Sequence, residues 1–375
     1  MKIMAVVKAD AYGHGAVEIS KHAIAAGVDY LSVAFLDEAL ELRHAGIEAP
    51  ILVLGYTPPS ALQLAWQYDI TVTAYSKEVG EEILSLTRSA SFLSYRSAQG
   101  SNRKLRVHIK VDTGMGRIGL HTQEEAIAFI DEMLLNDGVD VEGLFTHYAN
   151  ADEEDKSYTY EQFHRFDAVV RHFAERGIRF PLLHAGNSAT AIDMPQLTYN
   201  MVRIGISMYG FYPSLYVNRA KVELEPVLSL KTAVVQVKTL PSGSGISYGT
   251  RYITQGDEMI ATLPIGYADG YSRMLSGKAQ ALIHGKKVPV VGTICMDQCM
   301  IRLESTMNVQ PGDEVVLIGQ QGDACITAES LAESLGTIHY EITCMLSHRV
   351  PRVYMSQNKR IQVVNALLNQ GIQEL

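Results

Sequence analysis

At 375 residues the chain is too long for one small hydrophobic core, so two domains, or one large barrel with an addition, are expected. A formal charge of −9, with 19% charged residues and no basic tract, excludes a nucleic-acid groove, which needs a positive surface. No apolar run approaches a bilayer span, and the opening MKIMAVVKAD is interrupted too early for a signal peptide; a soluble, cytoplasmic protein is expected.

From the N-terminus, short apolar runs rich in β-branched residues alternate with helical patterns. The runs are IMAVVKADA (3–11), YLSVAF (30–35), PILVLG (50–55), ITVTAY (70–75), RVHIKVDT (106–113), VEGLFTH (141–147), LLHAGN (182–187) and MVRIG (201–205). Between them AVEISKHAIAAG, LDEALELRHAG and TQEEAIAFIDEMLL space apolar residues three and four apart, and the last opens with Thr122 and Glu125 in capping-box spacing. The polar stretch LSYRSAQGSNRKL (93–105) reads as a mobile surface loop. Strand–helix alternation through eight cycles is the sequence form of an α/β fold, a (β/α)8 barrel of the TIM type, expected over residues 1–225.

Beyond that point the rhythm changes. LSLKTAVVQVKTL, EMIATLPIG, AQALIHGKKVPVVG and GDEVVLIG are short strands bounded by Gly and Pro, so residues 226–375 read as a mostly β C-terminal domain. One amphipathic helix is expected at TAESLAESLG (327–336), and RIQVVNALLNQ closes the chain. Cys295, Cys299, Cys325 and Cys344 are too few for a disulfide framework. CMDQC has no histidine or second cysteine pair to complete a zinc set, so buried reduced thiols and no metal are expected.

In such a barrel the functional side chains gather where strands end. Those positions hold Lys8 and Tyr12; Lys110, Asp112 and Arg117; His147; His184, Asn187 and Ser188; and Arg203. A lysine amine in an apolar site near other cations loses its proton readily and can form a Schiff base. GNSAT (186–190) and RIGISMYG (203–210) offer backbone N–H groups to a phosphate. A phosphate-bearing aldehyde held by a lysine means pyridoxal phosphate. Taken singly each residue has a blander reading: a strand-end lysine snorkels to water, and a tyrosine packs half-buried with its hydroxyl bonded. GMGRIG alone is a weak dinucleotide pattern without a βαβ unit around it. Joint occurrence, in order, on strand ends favours the functional reading.

VVKADAYGHG, KVDTGMGRIG, THYANADE, NMVRIGISMYG, SYGTRY, IGYADGY, CMDQ and RVPR, spread over essentially the whole chain, closely resemble the motifs of the bacterial alanine racemase family. The resemblance implies a pyridoxal 5'-phosphate enzyme interconverting L- and D-alanine to supply peptidoglycan. It also implies a homodimer in which the second domain completes the partner's site. By resemblance Lys8 binds the cofactor and is the base towards the D-enantiomer, and Tyr248 is the opposing base. Two bases on opposite faces suit racemisation. A tyrosine with an ordinary pKa of about 10 needs acidifying cationic neighbours, and His147 is the candidate. Arg203 matches the arginine facing the pyridine nitrogen and His184 the residue behind it. Tyr12, Asn187, Ser188, Gly205, Ile206 and Tyr340 match the phosphate cradle. Arg117 and Met296 match the contacts to the substrate carboxylate, Lys110 a lysine often carbamylated, and Tyr267, Arg273 and Asp152 the access corridor.

Three features depart from the family pattern. The chain begins almost on the first motif, which implies either a displaced start or a barrel one helix short and a second domain one strand short. Thr293 stands at the corridor where many members carry arginine, and His348 where tyrosine is frequent. The first of these substitutions keeps open a racemase of serine or of broad specificity. A non-catalytic pyridoxal-phosphate-binding barrel is the reading from another class, disfavoured by Tyr248 and the second domain.

Overall fold

The computed structural model describes residues 1–98, 103–357, 359–368 and 370–372. They form two compact units, Met1–Ala11 with Gly15–Pro226, and Tyr12–His14 with Val227–Leu375.

The first unit is an eight-stranded parallel sheet with helices following its strands. Its strands are β1 (Lys2–Val6), β2 (Tyr30–Val33), β3 (Ile51–Val53), β4 (Thr71–Ala74), β5 (Leu105–Lys110), β6 (Val139–Phe145), β7 (Leu182–His184) and β8 (Met201–Ile204). They pair in the order β7-β6-β5-β4-β3-β2-β1-β8, and the Arg203 N–H donates to Gly186 O at 3.2 Å where β8 meets the end of β7. This is the expected (β/α)8 barrel. Its strands are buried on both faces, as YLSV and TVTA are at every position. The Thr122 hydroxyl caps the helix Gln123–Leu134 by accepting from the Glu125 N–H at 3.1 Å, while the Glu125 carboxylate reaches back to the His121 N–H at 2.8 Å.

The strands are shorter than the apolar runs. The run 3–11 ends as a strand at Val6, because Ala9, Asp10, Ala11 and Tyr12 adopt φ of 53°, 53°, 52° and 54° and wind a left-handed turn over Lys8–Gly13. The stretch 93–105 is not one loop: residues 93–98 continue the helix Ala90–Ala98 and Leu105 opens β5. Its centre, 99–102, lies outside the described residues.

Along β5 the sequence LRVHIK alternates. Leu105, Val107 and Ile109 carry one face, and Arg106, His108 and Lys110 fall on the other. Between β5 and β6 the register shifts, so that Val107 pairs Val141 but His108 pairs Gly143, and Glu142 is the bulged residue. Gly143 is required there. A Cβ would lie 2.9 Å from Leu182 O and 3.0 Å from the His108 ring.

The second unit is built on an antiparallel sheet that includes Gln236–Leu240, Glu258–Leu263, Gln280–Ile283, Lys286–Val291, Cys299–Leu303 and Glu314–Gln321. The expected helix is present over Ala328–Leu335, capped by the Thr327 hydroxyl on the Ser330 N–H at 3.1 Å and stopped by Gly336 at φ 72°. A second short helix, His339–Cys344, comes after it and was not legible in the sequence. RIQVVNALLNQ falls mainly in the strand Lys359–Asn365 of a small antiparallel sheet. Only Cys299 is fully buried; Cys295 is half-buried and Cys325 and Cys344 are exposed, against the expectation that all four are core thiols.

Candidate active site

The turn that carries Lys8 is strained. A left-handed conformation costs an L-residue about 1–2 kcal/mol, so four in succession persist only if the surroundings hold them. The Ala11 N–H donates to Val7 O at 2.9 Å, and Asp10 Oδ1 accepts from the Ala16 N–H at 2.7 Å. Glu38 is the main brace: Oε1 accepts from the Ala9 N–H at 2.6 Å, and Oε2 accepts from the N–H groups of Ala34 at 2.6 Å and Phe35 at 3.1 Å.

Four cations act on one another at this end of the barrel. Burial, then Arg117, Arg203 and Lys8, bring the Lys110 amine down to about 7. Burial lowers Arg203 to about 10, which leaves it charged at neutral pH. The ring of Phe145 has Lys110 Nζ and Arg203 Cζ each 5.6 Å from its centroid. Asp112 turns away to accept the N–H groups of Gly114 at 3.0 Å and Gly116 at 3.1 Å. Burial pushes its carboxyl up, but these backbone donors outweigh that and hold it below the usual range. Arg117 lies exposed on the same loop.

Arg203 anchors a hydrogen-bonded chain through the barrel interior. Its Nη1 donates to His184 Nδ1 at 2.8 Å, and its Nη2 to His147 Nδ1 and Ala185 O at 3.0 Å and to Thr146 O at 2.9 Å. His184 Nε2 lies 2.8 Å from His108 Nδ1, and His108 Nε2 lies 3.1 Å from Glu142 Oε2, which also accepts from the Tyr30 hydroxyl at 2.8 Å. The proton positions are set by Arg203, which can only donate. His184 accepts at Nδ1 and carries its proton on Nε2; His108 accepts at Nδ1 and donates from Nε2 to a carboxylate. Burial first, and Arg203 among the nearby charges, holds both imidazoles below their ordinary range. Burial pushes Glu142 up, but His108, Tyr30 and Arg106 outweigh it and keep the carboxyl low.

His147 is likewise held neutral, well below its usual value, by burial and then by Arg203, Arg117, Lys110 and Lys8. This corrects the expectation that His147 is a cation. With Nδ1 accepting from Arg203, it offers an Nε2–H as a neutral donor. His108 and Glu142 were missed in the sequence, although the period of two along LRVHIK, which sets His108 on the face of Lys110, was the available signal.

Asn187 caps the helix Ser188–Asp193 with Oδ1 on the Thr190 N–H at 3.0 Å. Ser188 Oγ accepts from the Gly205 N–H at 3.0 Å and the Ser207 N–H at 3.4 Å, which joins that helix start to the turn Ile206–Tyr209 after β8. Tyr12 and Tyr340 meet in the second unit with ring centroids 6.1 Å apart; burial raises the Tyr12 hydroxyl well above its ordinary value.

In the second unit Tyr248 is 72% and Met296 52% exposed. The segments bearing them are knitted together: the Tyr267 N–H donates to Cys295 O and the Ala268 N–H to Met296 O, both at 3.0 Å, and the Thr293 hydroxyl donates to Tyr248 O at 2.9 Å. Thr293 is buried, so it braces Tyr248 rather than presenting its side chain to solvent as an open corridor wall would.

Residues 1–213 match the family model for the alanine racemase N-terminal domain, and residues 227–354 that for the alanine racemase C-terminal domain. The alanine racemase of Clostridium tetani is 47% identical over 365 residues, covering 97% of this chain and 92% of that protein. Alanine racemase 2 of Oceanobacillus iheyensis is 44% identical over 360 residues, 96% of this chain and 88% of that protein. The structure of the alanine racemase of Clostridium difficile 630 superposes with a TM-score of 0.90 at 44% identity, covering 98% of this chain and 92% of that one. That of the Bacillus anthracis alanine racemase with bound L-Ala-P gives a TM-score of 0.90 at 42% identity, covering 99% and 92%. This chain therefore belongs to the alanine racemase family and is a racemase, an enzyme of the isomerase class.

Proposed function

We propose that the protein interconverts L- and D-alanine with pyridoxal 5'-phosphate, supplying D-alanine for peptidoglycan, and that it works in the cytoplasm as a homodimer with shared sites. The observation that carries this reading is Arg203, a buried guanidinium fixed by His184 and His147 beside Lys8 and Lys110. The donor set fits an anionic, ring-bearing cofactor: burial and the nearby Arg117, Arg203 and Lys8 lower the Lys110 amine even with Asp112 opposing them, a setting that favours a bound anion, and Ser188 keeps a hydroxyl proton to give beside the start of its helix. When bound, pyridoxal phosphate supplies the electron sink that acidifies the substrate's α-hydrogen.

The residues of this chain then divide the work. Lys8 anchors the cofactor and exchanges a proton on one face. Tyr248 exchanges it on the other, from the partner subunit; its 72% exposure in a single chain supports a site completed between subunits by the second domain, residues 226–375. Both terminal nitrogens of Arg203 are committed to His184, His147 and backbone carbonyls, so its Nε–H is the donor left for a ring nitrogen. A charged donor there keeps that nitrogen unprotonated and restrains side reactions. His147 offers its Nε2–H to a phenolate oxygen and favours deprotonation by hydrogen bonding rather than by charge. Tyr12, Asn187, Ser188, Gly205, Ile206 and Tyr340 hold the phosphate, and Arg117 and Met296 the substrate carboxylate.

The test is racemisation of L-alanine and L-serine with added cofactor, together with mixed subunits. Lys8→Ala and Tyr248→Ala proteins should each be inactive, and mixing them should restore activity in the heterodimer through its one intact site. No activity on either amino acid, or no rescue in verified heterodimers, would count against the reading.

A further inference from the structure

Ser247, the residue before Tyr248, has φ 63° and ψ −175°. That region is essentially reserved for glycine, and occupying it costs a side-chain-bearing residue about 1–3 kcal/mol. The strain does not serve to bury the next side chain, because Tyr248 is the most exposed tyrosine among the described residues. A backbone held in such a conformation persists only where its neighbours over-determine it, and here the neighbour is Thr293.

Two hydrogen bonds run in opposite directions between the same two segments. Ser247 Oγ donates to Thr293 O at 2.6 Å, and Thr293 Oγ1 donates to Tyr248 O at 2.9 Å. Together they pin the backbone on either side of Tyr248, the first through the Ser247 side chain and the second through the carbonyl of the peptide joining Tyr248 to Gly249. Cys295 Sγ lies 3.3 Å from Ser247 Oγ and supports the same contact. The segments can approach because residue 292 is glycine, at φ 70°; a Cβ there would lie 2.8 Å from Ile246 O and 3.1 Å from Ser247 Cβ. Ile246 is itself set in a small core with Ile260 and Val291. A rigid base, a strained hinge and a double clamp thus end on a side chain that points into no packing of its own.

We propose that Thr293 is a positioning residue for the racemisation: its carbonyl holds the Ser247 hydroxyl and its hydroxyl holds the Tyr248 carbonyl, so that the strained backbone is clamped on both sides of Tyr248 and the phenol is aimed at the substrate. This rests on the reading of Tyr248 as the second base. A base displaced by a fraction of an ångström transfers its proton more slowly while binding is little changed. The same phenol returns the proton in the reverse direction, so turnover falls both ways, but the substrate isotope effect of that transfer is read only from the enantiomer whose proton Tyr248 removes.

The experiment uses the holoenzyme and three variants. Thr293→Val keeps the shape and loses the hydroxyl; Thr293→Ser keeps the hydroxyl; Ser247→Gly releases the strain and loses the other hydroxyl. Thr293→Val should lower kcat by about tenfold or more with KM changed by less than about threefold. It should raise the primary deuterium isotope effect for α-deuterated L-alanine but not for D-alanine. It should also speed amide exchange across residues 245–254 while the rest of the protein exchanges as before. Thr293→Ser should restore all of these, and Ser247→Gly should reproduce the selective isotope effect even if Thr293→Val fails to fold. Unchanged isotope effects in Thr293→Val and Ser247→Gly, or equal rises for both enantiomers, would overturn the proposal. Tyr248→Phe in the same assays separates the two failures: full activity there means that the assignment of the base has failed, not the clamp.

Discussion

His184 accepts a hydrogen bond from Arg203 at one ring nitrogen across 2.8 Å and faces His108 across 2.8 Å at the other. The guanidinium and the Glu142 carboxylate are therefore the two ends of one chain, with two neutral imidazoles between them. Neither end is independent of the other.

At the far end of that chain, Glu142→Leu strands the His108 Nε2–H inside the barrel, at a cost of about 1–3 kcal/mol for a buried group left unsatisfied, while the Tyr30 hydroxyl keeps the Thr71 hydroxyl at 2.6 Å. Glu142→Gln keeps an acceptor and should cost less. Urea unfolding measures both; equal stability of the two variants would mean that the chain ends before Glu142.

Acid should loosen the same interior. His108, His147 and His184 are held below their ordinary range, with burial the largest cause in each. Unfolded, they titrate near pH 6.5. Below that pH the unfolded chain binds protons that the folded chain refuses, so stability falls as pH falls, by about 1.4 kcal/mol per pH unit for each group until its folded pKa is reached. His108→Gln, whose amide can accept from His184 and donate to Glu142, should remove about one proton from that slope. Urea midpoints between pH 7.5 and 5 decide it, and a flat profile in the parent protein would show that the three imidazoles titrate normally.

Lys110 titrates near 7 and so presents a large neutral fraction at neutral pH, the form that adds carbon dioxide to give a carbamate. With labelled bicarbonate at pH 8, a carbamate carbon signal should appear in the parent protein and be absent from Lys110→Arg. The same depressed value has a second sign: between about 7 and about 10.4 the unfolded chain binds the extra proton, so with bicarbonate excluded stability rises with pH across that window.

Ala9 tests the strained turn. It is exposed with φ 53°, so Ala9→Gly should gain up to about 1 kcal/mol, the relief of left-handed strain less the greater freedom of glycine in the unfolded chain. Ala9→Val, β-branched where φ is positive, should lose at least as much. Thermal unfolding that ranks valine above glycine would contradict the left-handed assignment.

Much of this was legible in the sequence because barrels write themselves in strand ends. Lys8, Lys110, His147, His184 and Arg203 could be read off as the residues that close apolar runs. The left-handed turn could not, because Ala9–Tyr12 contains no glycine and its conformation is imposed from outside, chiefly by Glu38, 29 residues away from Ala9. Glu142 was hidden by a bulge that sequence periodicity does not reveal. Thr293 was assigned by resemblance to a corridor, whereas its hydroxyl is spent on a backbone carbonyl, a long-range contact that no local pattern encodes.

The hand of the turn at Lys8 also bears on timing. Four left-handed residues cost about 4–8 kcal/mol in sum, so an unfolded chain visits that conformation less than about once in a thousand. A chain still being synthesised thus presents Lys8 as one ordinary surface amine among many, with no special claim on passing aldehydes. Only when Glu38 and Asp10 have made their hydrogen bonds does the turn hold Lys8 in its folded setting.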